Sequence, residues 1–251
     1  MKPDLILKSA LLMFVFGPLF AFADEPPQQA AKLDVRVRLQ LDYLIYLPKD
    51  YDQQKSWPLL VFLHGSGERG NDLEKVKVHG PPKLIDQGKD FPCIVVSPQC
   101  PSERGWEPIE LTALIDELER KYNIDPDRIY LTGLSMGGLG VWELANYIPN
   151  RIAAIAPICG IGEPFWTKKY THVPVWAFVG AKDDASTVAR TQGMVDEITK
   201  NGGSPKLTIY PEAGHDAWTQ TYNNPEFYEW LFAQSRANLA KTDEKKTDKK
   251  K

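Results

Sequence analysis

The stretch Asp127-Arg128-Ile129-Tyr130-Leu131-Thr132-Gly133-Leu134-Ser135-Met136-Gly137-Gly138 decides how the rest of the chain is read. Ile129 to Thr132 is a β-branched and aromatic run, the composition of a buried strand. After the glycines, Leu139 to Ile148 places Val141, Leu144, Ala145 and Ile148 at helical spacing, and Pro149 closes the run. Ser135 therefore stands on a strand-to-helix turn. On so tight a turn, side chains two positions to either side would collide, and there the sequence has Gly133 and Gly137. Such a turn lifts the serine hydroxyl off the backbone. It also turns the first N–H groups of the helix toward whatever the hydroxyl attacks. A glycine-rich turn with a surface serine is the bland alternative; the strand before and the helix after favour a nucleophile.

Outward from this unit, strands and helices alternate. Val35 to Leu39 and Leu41 to Leu47 read as paired antiparallel strands at a sheet edge. Pro58 to Leu63 is a continuous apolar run, as expected of a strand covered on both faces, and Ile94 to Ser97 is another. Glu107 to Tyr122 reads as a helix with Ile109, Leu111, Leu114, Ile115 and Leu118 on one side. Strands follow at Ala153 to Ile158, Val173 to Val179 and Lys206 to Tyr210. Helices are expected at Thr187 to Lys200 and Asn224 to Gln234. The alternation implies an α/β architecture, with a mostly parallel sheet of about eight strands covered on both faces.

In such sheets, ligands bind beyond the carboxyl ends of the strands. After Leu63 comes the glycine-rich loop His64-Gly65-Ser66-Gly67-Glu68-Arg69-Gly70, in which His64 reads as a prop for the turn. After Val179 comes Gly180-Ala181-Lys182-Asp183-Asp184. Asp183 is preferred to Asp184 as a carboxylate that orients a histidine, because it lies nearer the strand end. After Tyr210 comes Pro211-Glu212-Ala213-Gly214-His215, and His215 is the best base of four histidines. His79 and His172 read as structural. The chain order Ser135, Asp183, His215 is nucleophile, acid, base.

With these residues in place the chain resembles α/β-hydrolase esterases of the branch that includes feruloyl esterases, dienelactone hydrolases and polyhydroxybutyrate depolymerases. The resemblance also extends to exported members described as prolyl-oligopeptidase-like or phospholipase/carboxylesterase-like. It is carried by LHGSGERG (63–70), SPQCP (97–101), DPDRIYLTGLSMGG (125–138), APICG (156–160), GAKDD (180–184) and GHDAW (214–218). It implies the α/β-hydrolase fold, the same three residues as catalytic triad, and an oxyanion hole from the N–H groups of Ser66 and Met136. The chain departs from the family in lacking Val-Pro after the acidic loop.

The implied chemistry is ester hydrolysis through an acyl-enzyme, with no metal or organic cofactor. A peptidase or an acyltransferase would use the same three residues, and a catalytically inactive binding module is the reading from another class. The connection from Ile158 to Val173 is short, so no large lid is expected and a small-molecule or carbohydrate ester fits best. Trp106, Trp166, Trp218 and Tyr222 fall near the catalytic end, where they either stack on a phenolic group or sugar or pack the loops. Glu68, Arg69 and Glu163 either meet a polar leaving group or are surface charge.

The flanks are simpler. Met1 to Ala23 has Lys2 and Lys8, an apolar run and Ala21-Phe22-Ala23, the pattern of an export signal cleaved near Ala23 into the periplasm or medium. Residues 24–34 are a polar leader, 35–238 the catalytic domain, and 239–251 a Lys-rich tail without a core. No stable membrane insertion is expected. The formal charge of −3 leaves −7 on the body once +1 in the signal and +3 in the tail are set aside. An acidic body argues against nucleic acid as a partner. Three cysteines, Cys93, Cys100 and Cys159, leave at least one unpaired; a Cys100–Cys159 bridge and two buried thiols are both open.

Overall fold

The computed structural model of the chain describes residues 28 and 30–238; the expected export signal, Met1 to Ala23, and the Lys-rich tail lie outside them. Among the described residues, 39–238 form one compact body. Its sheet has seven strands in the order β1-β3-β2-β4-β5-β6-β7. They are β1 (Tyr43–Tyr46), β2 (Trp57–Leu63), β3 (Ile94–Pro98), β4 (Ile124–Leu134), β5 (Ala154–Ile158), β6 (Trp176–Gly180) and β7 (Lys206–Tyr210). Only β1 runs antiparallel to its neighbour, β3. The helices are α1 (Gly80–Asp86), α2 (Pro108–Lys121), α3 (Met136–Tyr147), α4 (Ala185–Lys200), α5 (Ala217–Tyr222) and α6 (Pro225–Phe232).

The continuous apolar run of β2 is explained by its two faces. Leu59, Val61 and Leu63 enter one core with Leu111 and Ile115 of α2, Val141 and Leu144 of α3 and Met194 of α4. Leu60 and Phe62 enter the other with Tyr222 of α5 and Phe227 and Leu231 of α6. A central parallel strand has no polar face to show, so period-2 alternation of polar and apolar residues is absent from its sequence.

Two expectations are corrected. Val35 to Leu39 is not a strand: Leu33, Val35 and Val37 are exposed, and β1 pairs with β3 instead. The alternating pattern there is a propensity that found no hydrogen-bonded neighbour among the described residues. Ile109 is exposed, because it lies in the first turn of α2, ahead of the buried stripe. Helix α1 is not among the expected helices; its Pro81 and Pro82 sit in the first turn, where no backbone N–H is needed. No helix among the described residues is long and apolar enough to cross a membrane.

Candidate active site at the strand ends

Ser135 joins β4 to α3 with φ 53° and ψ −116°. This is a sparsely populated region for a residue with a Cβ. The neighbouring glycines are required by contact. A Cβ on Gly133 would lie 2.5 Å from the Gly137 carbonyl oxygen, and one on Gly137 would overlap the Leu63 carbonyl. Two main chains cross where those side chains would be.

Asp183 follows β6 and His215 follows β7, so neighbouring parallel strands deliver both to the same edge. His215 Nε2 is 2.9 Å from Ser135 Oγ. His215 Nδ1 is 2.9 Å from one oxygen of Asp183 and 3.1 Å from the other. With Nδ1 protonated, the ring donates to the carboxylate and accepts from the serine hydroxyl. The Asp183 side chain is 4% exposed and that of His215 48%. The acid is therefore covered while the imidazole meets solvent. Asp184 serves the fold instead, since its carboxylate accepts from the Ser186 N–H at 2.9 Å and caps α4.

The loop after β2 lies against the Ser135 turn, since a Cβ on Gly65 would meet the Leu134 side chain at 2.7 Å. Ser66 opens a short 3₁₀ turn, Ser66–Glu68, and Met136 is the first residue of α3. First-turn N–H groups have no acceptor within their own helix. The loop is tied down from below by residues the sequence singled out only as a motif. Gln99 Nε2 donates to the carbonyls of Glu68 and Asp72, both at 2.8 Å. Arg69 Nε donates to the Ser66 carbonyl at 3.1 Å. His64 Nε2 accepts the Cys100 N–H at 3.0 Å while Nδ1 donates to the Gly65 carbonyl at 2.6 Å. His64 is thus a fully buried prop in its neutral form, and burial holds its pKa below the ordinary histidine value. The run SPQCP after β3 carried the signal for this brace, but nothing in its pattern says which loop it holds.

The remaining candidates separate. Trp106 is buried, its indole N–H donates to the His64 carbonyl at 3.1 Å, and its ring packs edge-on to His64. It packs beneath the loop after β2. Glu68 also turns inward: its carboxylate is 3.9 Å from His64 Nδ1 and 3.9 Å from His79 Nε2. Tyr222 is buried with its hydroxyl 3.0 Å from Thr132 Oγ1, Trp166 packs against the core, and Glu163 pairs with Arg190. Trp218 does reach the site edge, 5.3 Å from the His215 ring. It also lines a cavity of about 270 Å³ with His79, Lys83, Gln87 and Asn223. Cys100 and Cys159 are not bridged; they lie in the cores on opposite faces of the sheet.

A mostly parallel sheet covered on both faces, with serine, aspartate and histidine meeting at its strand ends in that chain order, defines an α/β-hydrolase. The chain belongs to the dienelactone hydrolase family, whose model matches residues 106–246. Over 161 residues it is 28% identical to the bifunctional acetylxylan esterase/xylanase XynS20E of Neocallimastix patriciarum, covering 61% of this chain and 23% of that protein. A thermostable esterase of known structure is 32% identical with a TM-score of 0.67, covering 78% of this chain and 60% of that one. A ferulic acid esterase superposes with a TM-score of 0.60 at 18% identity, covering 76% of this chain and 92% of that one, a likeness of fold. The chain thus spans less than two thirds of the first two proteins.

Proposed function

We propose that the chain is an exported serine esterase that hydrolyses carboxylic esters through an acyl-enzyme. The observation that carries this reading is the unbroken hydrogen-bonded line from Asp183 through His215 to the Ser135 hydroxyl. Ser135 Oγ attacks the ester carbonyl while His215 Nε2 takes its proton. Asp183 keeps Nδ1–H directed at itself and stabilises the imidazolium that forms. The oxyanion is met by the N–H groups of Ser66 and Met136, each a first-turn donor; losing one such donor costs about 3–4 kcal/mol in related chemistry. His215 returns the proton to the leaving alkoxide. Water then attacks the acyl-enzyme, with His215 again as base. No step calls on a metal or an organic cofactor.

The surroundings support a substrate class. The exposed imidazole and the short connection between β5 and β6 favour a small ester or one displayed on a carbohydrate. The cavity beside Trp218 carries amide, amine and imidazole groups, which suit the hydroxyls of a sugar. The similarity to an acetylxylan esterase/xylanase points the same way. Export rests on the composition of Met1 to Ala23. The test is hydrolysis of p-nitrophenyl acetate and butyrate, then of a panel of acetylated xylo-oligosaccharides, methyl ferulate and peptide amides. Turnover that vanishes in Ser135→Ala and is highest on sugar esters is expected. Equal rates in both proteins would overturn the reading, and preferential amide cleavage would make the chain a peptidase.

A further inference from the structure

Among the described residues, Cys159 is a buried nucleophilic side chain near the site that the mechanism does not use. It follows β5 directly and is 3% exposed. Its sulfur, a carboxylate oxygen of Asp183 and a ring nitrogen of His215 all lie within 4.8 Å of one another. We propose that Cys159, Asp183 and His215 form a binding site for a thiophilic divalent cation such as zinc or cadmium, and that filling it switches the hydrolase off.

The donor set fits this class of ion. A thiolate, an imidazole and a carboxylate are the ligands of borderline-soft metals, whereas magnesium and calcium take oxygen alone. The three donors come from three successive strand ends of one rigid sheet, so they are held together before an ion arrives. Metal–ligand bonds of about 2.0–2.3 Å put tetrahedral donors roughly 3.3–3.8 Å apart, against 4.8 Å or less here, so the sulfur has at most about 1.5 Å to close. The half-exposed imidazole gives a route in from solvent. Thiolate and carboxylate together cancel the charge of a dication, which matters where two of the three ligands are covered.

The consequence for His215 follows from proton bookkeeping. The ion takes Cys159 Sγ, an Asp183 oxygen and His215 Nδ1. The thiol proton leaves to solvent, and the proton on Nδ1 is replaced by one on Nε2, so the ring remains neutral. One dication enters, one proton departs, and nothing is oxidised or reduced. Nε2–H now donates to Ser135 Oγ and has no lone pair left to accept the serine proton. The groups facing the thiol are Asp183, His215 and the Tyr222 hydroxyl. Burial first, and the Asp183 charge among lesser influences, push the thiol up to about 12, so without the ion it stays protonated and inert.

The inhibitory effect rests on the proposed role of Ser135; the binding does not. The test titrates the full chain with cadmium, following thiolate-to-cadmium absorption in the ultraviolet beside p-nitrophenyl acetate hydrolysis. One equivalent is expected to raise the absorption and remove activity together, while magnesium does neither. Cys159→Ala should abolish the absorption and raise the inhibition constant by at least about 100-fold. Cys100→Ala, on the other face of the sheet, should keep both signals. Cys159→Ser serves if the alanine variant does not fold, since it nearly preserves volume while replacing the soft ligand. No absorption band beside Ser135-dependent turnover would overturn the site and leave the esterase standing. An unchanged inhibition constant in Cys159→Ala or Cys159→Ser would also overturn it. A band in a protein without ester turnover would remove the inhibitory role and with it the esterase reading.

Discussion

Strands β4 and β5 lie side by side, with Leu134 paired to Ile158, and each is followed at once by a nucleophilic side chain at positive φ. Ser135 has φ 53° and Cys159 has φ 50°. From there the two turns diverge. Ser135 opens a helix, so its hydroxyl stands beside free first-turn N–H groups and within 2.9 Å of an imidazole nitrogen. Cys159 opens a loop, is buried, and has its thiol pushed up to about 12. By the proposed mechanism, the intrinsically better nucleophile is the silent one. What distinguishes a reactive turn from an inert one is the base, the donors and the solvent around it; chemical identity and backbone shape are not enough.

The largest effect that tests this contrast is on activity. Ser135→Ala should lower kcat/KM on p-nitrophenyl esters by roughly 10⁴–10⁶-fold with little change in melting temperature. Asp183→Asn should cost about 10⁴-fold, by stabilising the wrong tautomer of His215. Asp184→Asn, which alters only the cap of α4, should cost less than about 1 kcal/mol of stability and leave the ester rates alone. Equal losses in the two asparagine variants, measured by steady-state kinetics, would erase the distinction between the acid and its neighbour.

Next comes the geometry that lifts Ser135. Gly137→Ala puts a methyl group into the Leu63 carbonyl, in contact with backbone that has no room to retreat. It should destabilise the chain by about 3 kcal/mol or more, read from urea unfolding. A loss below about 1 kcal/mol would mean that the turn is looser than the crossing of the two main chains requires.

A second contrast, between two histidines, predicts a pH effect. His64 is buried and neutral, with its pKa depressed by burial from 6.5. The unfolded chain binds that proton more readily, so stability is full above about pH 6.5 and falls as acidity takes the folded protein through the depressed value. His64→Gln retains hydrogen-bonding capacity but not the proton. It should cost about 1–3 kcal/mol at pH 8 and flatten the loss of stability between pH 7 and pH 5. Unfolding curves across that range measure it. An unaltered slope would assign the acid sensitivity elsewhere.

The parts of this arrangement differ in how legible they were. Ser135, Asp183 and His215 were legible because each is a residue type with a distinct chemistry at a strand end, and strand ends follow from buried apolar runs such as Pro58 to Leu63. The glycine spacing around Ser135 reports a collision, and collisions leave a mark in sequence. Trp106 and Glu68 stayed open between two readings because their loop position says nothing of the direction in which a side chain turns; both turn toward His64. The brace of Gln99 and Cys100 under the loop after β2 was hidden for a related reason. It joins segments more than 25 residues apart by ordinary hydrogen bonds, and such partners leave no period. The Val35 to Leu39 pattern shows the converse, a strong local signal without a hydrogen-bonded neighbour among the described residues to fulfil it.

The smallest effect bears most directly on the two turns. Ser135→Gly and Cys159→Gly both place the residue best suited to positive φ where a side chain now sits. Strain of the kind seen at Ser135 costs about 1–3 kcal/mol, and a new glycine returns roughly 0.5–1 kcal/mol through the freer unfolded chain. The Ser135 side chain is half-buried and packs little, so its replacement should stabilise the chain by about 1 kcal/mol, or about 2–4 °C, while ester turnover disappears. Cys159 instead sits in the core with Phe178 and Ala217, and removing its thiol leaves a void there. That loss should outweigh the relieved strain and lower the melting temperature. Opposite signs in the two variants would establish that strain at Ser135 is retained for reactivity and strain at Cys159 for packing. Stabilisation in both would mean that the thiol contributes nothing to the fold, leaving the cation site as the only role for which it is held there.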